Sequence, residues 1–159
     1  MKLKKLNSSV EVNVNIANYK IDWEQKVSGP QKKVTDFLRQ FWEYDYVLQE
    51  LRVPGSLLRL DIVNITKKII VEVSPGSTHD KYSKFIHKSR CGFLKKVNAD
   101  ADKKKWAEQN KFSFIALGNE EIKNLSKEMI EEKFEVIIIS DSDAKLFLVY
   151  VPKSGLKVI

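Results

Sequence analysis

Leu57-Leu58-Arg59-Leu60-Asp61-Ile62-Val63-Asn64-Ile65-Thr66-Lys67-Lys68-Ile69-Ile70-Val71-Glu72-Val73-Ser74 is the most informative stretch of the chain. Two runs rich in Leu, Ile and Val, Leu57–Ile65 and Ile69–Ser74, flank a polar turn, the pattern of a largely buried β-hairpin. A two-residue turn at Thr66-Lys67 pairs Ile65 with Lys68, and the same register sets Asp61 directly opposite Glu72. Cβ atoms of such a pair lie roughly 5 Å apart. Like charges so placed repel, and a divalent cation between them relieves the repulsion. Mg2+ suits the position, because it takes one or two carboxylates together with phosphate and water oxygens. A register slipped by one residue would instead turn the two carboxylates separately to solvent.

The second strand opens into Ser74-Pro75-Gly76-Ser77-Thr78-His79, a loop of small residues ending in a histidine. Strand-end loops on a rigid scaffold are where catalytic groups concentrate. His79 is therefore a candidate general acid or base, although a lone loop histidine is more often simply polar surface.

Downstream lies a basic stretch. From Lys81 to Lys105 nine basic residues face two acidic ones, so these 25 residues hold the whole formal charge of +7, and the remaining 134 are neutral. Phe85, His87, Phe93 and Trp106 are interleaved with the lysines, which suits a polyanion better than a merely solvated helical face. Nucleic acid is the expected partner. On this helix Ala99, Asp102, Trp106 and Gln109 share one face. If Trp106 marks the core side, Asp102 points inward, where His79, a lysine or a metal ion could pair with it. A helix-capping or Arg-pairing aspartate is the equal alternative. Asp100, about 160° away, is expected to face water.

Working outward, Val10–Ile16 alternates apolar and polar residues as a half-buried strand does, and Ser28-Gly29-Pro30 reads as a helix start. Val34, Phe37, Leu38, Phe41 and Trp42 follow at helical spacing, and Pro54-Gly55 is a turn. The basic helix is expected to end near Asn110 as a left-handed cap, followed by a strand over Phe112–Leu117. Asn119 is expected to cap a helix running to about Lys133. Val136–Ser140 and Lys145–Val151 form a closing hairpin around Asp141-Ser142-Asp143-Ala144. With no repeat or linker, residues 1–159 read as one α+β (α/β-like) domain with a central mixed sheet flanked by helices.

A 43% hydrophobic share supports one core, and no apolar run approaches the roughly 20 residues of a membrane span. The basic start Met1–Lys5 is not followed by a signal-peptide apolar stretch, because Asn7, Ser8 and Ser9 interrupt it. Cys91 is the sole cysteine and there are two histidines, which excludes an internal disulfide and the usual Cys/His zinc site. A soluble intracellular, cytoplasmic protein is expected. The end Gly155-Leu156-Lys157-Val158-Ile159 could form a sheet edge that pairs with a second copy, giving a homodimer.

Taken in order, Pro54–Asp61, Ile70-Val71-Glu72-Val73-Ser74, His79, Asp102 with Trp106, and the strand Phe112–Leu117 resemble the PD-(D/E)xK nuclease superfamily. The likeness is to its branch of very-short-patch-repair and phage-associated EDxHD homing endonucleases, and spans about Pro30 to Glu121. The resemblance implies a restriction-endonuclease-like fold and Mg2+-dependent (or Mn2+-dependent) hydrolysis of double-stranded DNA. Asp61 and Glu72 match the metal-binding acids, His79 the histidine after the loop, and Asp102 the acid on the following helix. Two positions depart from the family. The D/E-x-K triplet reads Glu72-Val73-Ser74, leaving Lys103 or Lys104 to substitute for the lysine from the helix. The family's early-helix glutamate is Gln31, able to orient water or phosphate but a poor base. Lys88, Arg90, Lys95 and Lys96, with His87, are expected to grip backbone phosphates, and Arg59 and Ser74 to border the scissile strand. A catalytically degenerate nuclease fold that only binds DNA or RNA is the alternative.

Overall fold

The computed structural model describes residues 1–25, 29–73, 90–134, 136–140, 146–150 and 157–158, and of 90–97 and the strands beyond 135 it describes the backbone. At its centre is a four-stranded mixed sheet ordered β3-β4-β5-β6, formed by Val47–Arg52, Arg59–Asn64, Ile69–Val73 and Ser113–Leu117. β3, β4 and β5 run antiparallel in sequence, and β6 lies parallel to β5. That parallel pairing needs a long crossover, which the 20-residue helix α2 (Arg90–Gln109) supplies in part.

The sheet is covered on both faces, so its central strands are apolar on both sides. On one face lie α1 (Pro30–Trp42), α3 (Asn119–Lys123) and α4 (Lys127–Phe134), which bury Leu38, Trp42, Ile122, Ile130 and Phe134 against Ile62, Val71 and Leu117. On the other face α2 packs Trp106 and Ala107 against Leu48, Leu60, Val63 and Ile70. Trp42 and Trp106 are fully buried; burying a side chain of this kind contributes roughly 1.5–3 kcal/mol.

The start of α1 follows the sequence closely. Pro30 occupies its first turn, and Gly29, at φ 107°, caps it in a conformation that other residues rarely adopt.

A small hairpin of β1 (Lys2–Lys4) and β2 (Glu11–Asn13) is fastened to the C-terminal end of α2. The buried Trp106 Nε1 donates to the Lys4 carbonyl at 2.7 Å, and the Lys4 N–H donates to Asn110 Oδ1 at 2.8 Å. Gln109 accepts from the Asn7 N–H and donates to the Ser8 carbonyl. β7 (Val136–Ser140) and β8 (Leu146–Tyr150) form the expected antiparallel closing hairpin, and β9 (Lys157–Val158) adds a third strand to β8.

Several local expectations are corrected. The alternation of Val10–Ile16 yields only β2, because Ile16 already begins a 3-10 turn over Ile16–Tyr19. Gly118, not Asn119, is the N-cap of α3, and the helix expected to reach Lys133 breaks at Asn124 into α3 and α4. Lys111 rather than Asn110 takes the left-handed conformation after α2, at φ 60°, while Asn110 spends its side chain on Lys4 and on the Trp106 carbonyl. The hairpin turn is four residues long, 65–68, with Lys68 at φ 58°. Its register is the expected one, since Asn64 pairs with Ile69, Val63 with Ile70 and Ile62 with Val71.

Candidate active site on the central sheet

The β4–β5 ladder ends at Ile62–Val71, and the next step of the same register sets Asp61 opposite Glu72. There the two carboxylates replace the backbone ladder. The Asp61 N–H donates to Glu72 Oε1 at 2.9 Å, and the Val73 N–H donates to Asp61 Oδ2 at 2.8 Å. The two side chains are thus fixed by main-chain donors on opposite strands, within a sheet whose neighbours Ile62, Val63, Ile70 and Val71 are fully buried.

Lys103 completes the group. It projects from α2 and its Nζ donates to Glu72 Oε2 at 2.9 Å, with the two side chains 15% and 7% exposed. Lys103 is thus the lysine of α2 that reaches the strand acid. Lys104, the other candidate, is exposed. Burial, reinforced by the Asp61 charge and only partly offset by Lys103, pushes the Glu72 carboxyl up to about 7. Burial likewise raises Asp61, aided by Glu50 and opposed by the Val73 N–H and Lys103.

Glu50 is the residue the sequence reading missed. The β3–β4 register that pairs Gln49 with Ile62 and Leu51 with Leu60 puts Glu50 opposite Asp61, so Glu50, Asp61 and Glu72 occupy one row across three adjacent strands. Glu50 has φ 56°, an uncommon backbone state for a non-glycine residue, and such outliers collect at functional sites. Its carboxylate accepts from Gln31 Nε2 at 3.3 Å, a contact towards α1 and away from Lys103 on α2. Gln31 thus reaches the row through Glu50 rather than by touching Asp61 or Glu72.

The other expected residues are distributed unevenly. Asp102 is half-buried and makes no hydrogen bond or ion pair among the described residues. The inward face of α2 is instead marked by Lys103, Trp106, Ala107 and Asn110. Asp100, expected in water, is half-buried with one carboxylate oxygen sealed from solvent. Arg59 is exposed at the start of β4. Ser74, His79, His87 and Lys88 lie outside the described residues, and Arg90, Lys95 and Lys96 are placed on α2 by backbone alone.

Among the described residues no group of three or more His, Cys, Asp and Glu side chains converges as a metal cage. Two facing carboxylates pinned by main-chain donors and in side-chain contact with each other are a donor set that suits a cation completing its shell with phosphate and water oxygens. No described helix is long and apolar enough to cross a membrane. Comparison with protein-family models, with curated proteins and with solved structures finds no match to this chain.

Proposed function

We propose that the protein is a divalent-cation-dependent nuclease that hydrolyses phosphodiester bonds in DNA, within the cytoplasm. The observation that carries this reading is the closed set Asp61–Glu72–Lys103, two facing acids on adjacent strands with one ammonium group bonded to the second. Asp61 and Glu72 would hold Mg2+, which supplies a more acidic water and counter-charge for the phosphate. The residues of the chain do the rest. Val73 and the Asp61 N–H fix the two carboxylates before substrate arrives. Lys103 favours the ionised form of Glu72, the form that would hold the cation. His79 and Asp102 enter as an acid–base residue and its orienting partner. The basic residues of α2 bind backbone phosphates, which makes affinity strongly salt-dependent.

The test is incubation of purified protein with supercoiled plasmid in Mg2+ or EDTA, beside Asp61→Asn. Metal-dependent nicking or linearisation that the variant loses supports the proposal, and cutting by Asp61→Asn at the native rate refutes it. A second reading, a DNA- or RNA-binding module on a degenerate nuclease fold, is favoured by Gln31, an amide held by Glu50 where the resembling family carries a glutamate. Plasmid that shifts in a gel but stays intact supports that reading.

A further inference from the structure

Beside the carboxylate row, on the far side of Glu50 from Asp61, opens a cavity of about 480 Å3 between the 3-10 turn, β3 and the start of α1. That volume falls within the range of small-molecule sites. Its wall is unusual in carrying four carboxamides, those of Asn18, Gln25, Gln31 and Gln49. Gln31 is bonded to Glu50, whereas the amides of Asn18, Gln25 and Gln49 make no hydrogen bond among the described residues. Each therefore offers a free donor and a free acceptor. Tyr19 adds an aromatic wall.

The charge of the wall separates this cavity from the phosphate-binding face. Asp22 and Glu50 outweigh Lys20, giving a net −1 in a chain whose total is +7. A phosphate is repelled there, while a group that donates hydrogen bonds is welcome. Carboxamides pair bidentately with adenine through its amino group and N7, and carboxylates accept from the cytosine amino group. A ring able to stack on Tyr19 and present an exocyclic amino group satisfies all three features. The cavity also borders the carboxylate row, since Glu50 belongs both to its wall and to the row containing Asp61.

We infer that this cavity binds an amino-bearing nucleobase, adenine or cytosine, of a nucleotide next to the one whose phosphate lies at Asp61 and Glu72. The assignment of neighbouring phosphate rests on the proposed nuclease reading, but base binding itself does not. The site gives the enzyme a base preference close to the cut, delivered by side chains separate from the basic helix.

The experiment is an NMR titration of the full chain, in EDTA, with adenosine, cytidine, uridine and inosine, free nucleosides chosen to remove the phosphate contribution. Adenosine or cytidine is expected to bind at least about five-fold more tightly than inosine or uridine, the discrimination of one good base contact. Shifts should centre on Asn18, Gln31 and Gln49. Asn18→Leu, at an exposed position, and Gln49→Leu should each erase the difference while the rest of the spectrum stays folded. Equal affinity for all four nucleosides, or no binding at millimolar concentration, overturns the inference even if the plasmid is cut. Discriminating binding by a protein that cuts no nucleic acid upholds the cavity and removes the nuclease reading.

Discussion

Replacing Asp61 by asparagine removes one of two facing charges while leaving a side-chain oxygen to accept from the Val73 N–H. The consequence for stability follows from Glu72, whose carboxyl rises from 4.5 to about 7 on folding. Because the folded state binds the proton more tightly than the unfolded chain does, this group's contribution is fully present below about pH 4.5. It falls as pH rises, and it is gone above about pH 7. At 1.36 kcal/mol per unit, the native protein is less stable at pH 8 than at low pH by roughly 3 kcal/mol on this account. Desolvation is the largest cause and repulsion by Asp61 the second, so removing Asp61 recovers a minor share, about 1 kcal/mol. For a chain of this size that raises the melting temperature by about 2–4 °C at pH 8, and by much less at pH 5, where Glu72 already carries its proton. Thermal unfolding followed by circular dichroism at the two pH values, for native protein and Asp61→Asn, measures the difference directly. An Asp61→Asn protein that melts lower than native by the same margin at both pH values would show that the two carboxylates do not repel, and the site geometry would be wrong. The plasmid assay on the same samples should show the stabler variant to be the inactive one, as expected where function keeps like charges together.

Other outcomes follow from the same contacts. Lys103→Met removes the ammonium that favours ionised Glu72, so the Glu72 carboxyl should titrate at higher pH, as followed by carbon NMR of the metal-free protein; an unmoved titration separates Lys103 from Glu72. Lys104→Met, at an exposed position on the same helix, should lower the slope of log affinity against log salt by about one and leave folding intact, as read by filter binding across a salt series. Asp45→Ala strands two buried donors, the Lys67 ammonium and the Asn64 amide, which both rest on Asp45 Oδ2. Loss of about 3 kcal/mol in denaturant unfolding is expected. Gln31→Glu sets a second carboxylate against Glu50 in place of an amide donor, and should lower the melting temperature at pH 8 more than at pH 5.

The hairpin that holds Asp61 and Glu72 was legible because alternation, apolar content and turn chemistry all specify one register, and a slip by one residue would have exposed the core face. β3 was not legible for a physical reason. The left-handed Glu50 shifts the strand's phase, so that Leu48 and Leu51 both pack on the α2 side, and Val47-Leu48-Gln49-Glu50-Leu51 shows no period of two. With β3 unseen, the third carboxylate of the row had no register to be placed in. On α2 Trp106 is buried as its spacing predicts, but a single tryptophan does not fix where the inward face is centred, and Lys103 and Ala107 place that centre further round the helix than Asp102. Asn119 looked like a cap because asparagine followed by two glutamates suits a helix start. Gly118 takes that place, and the glutamates fill the first turn as such residues do beside the positive end of the helix.

The fastening of the β1–β2 hairpin to α2 has a consequence for how the molecule assembles. The bonds from Lys4 to Trp106 and Asn110 join residues more than a hundred positions apart. During synthesis the hairpin emerges early and must wait, with its anchor absent, until the end of α2 has left the ribosome. At about 5–20 residues per second that interval is of the order of five to twenty seconds. The end of the helix bearing Lys103 thus gains part of its seat from a segment made about a hundred residues before it.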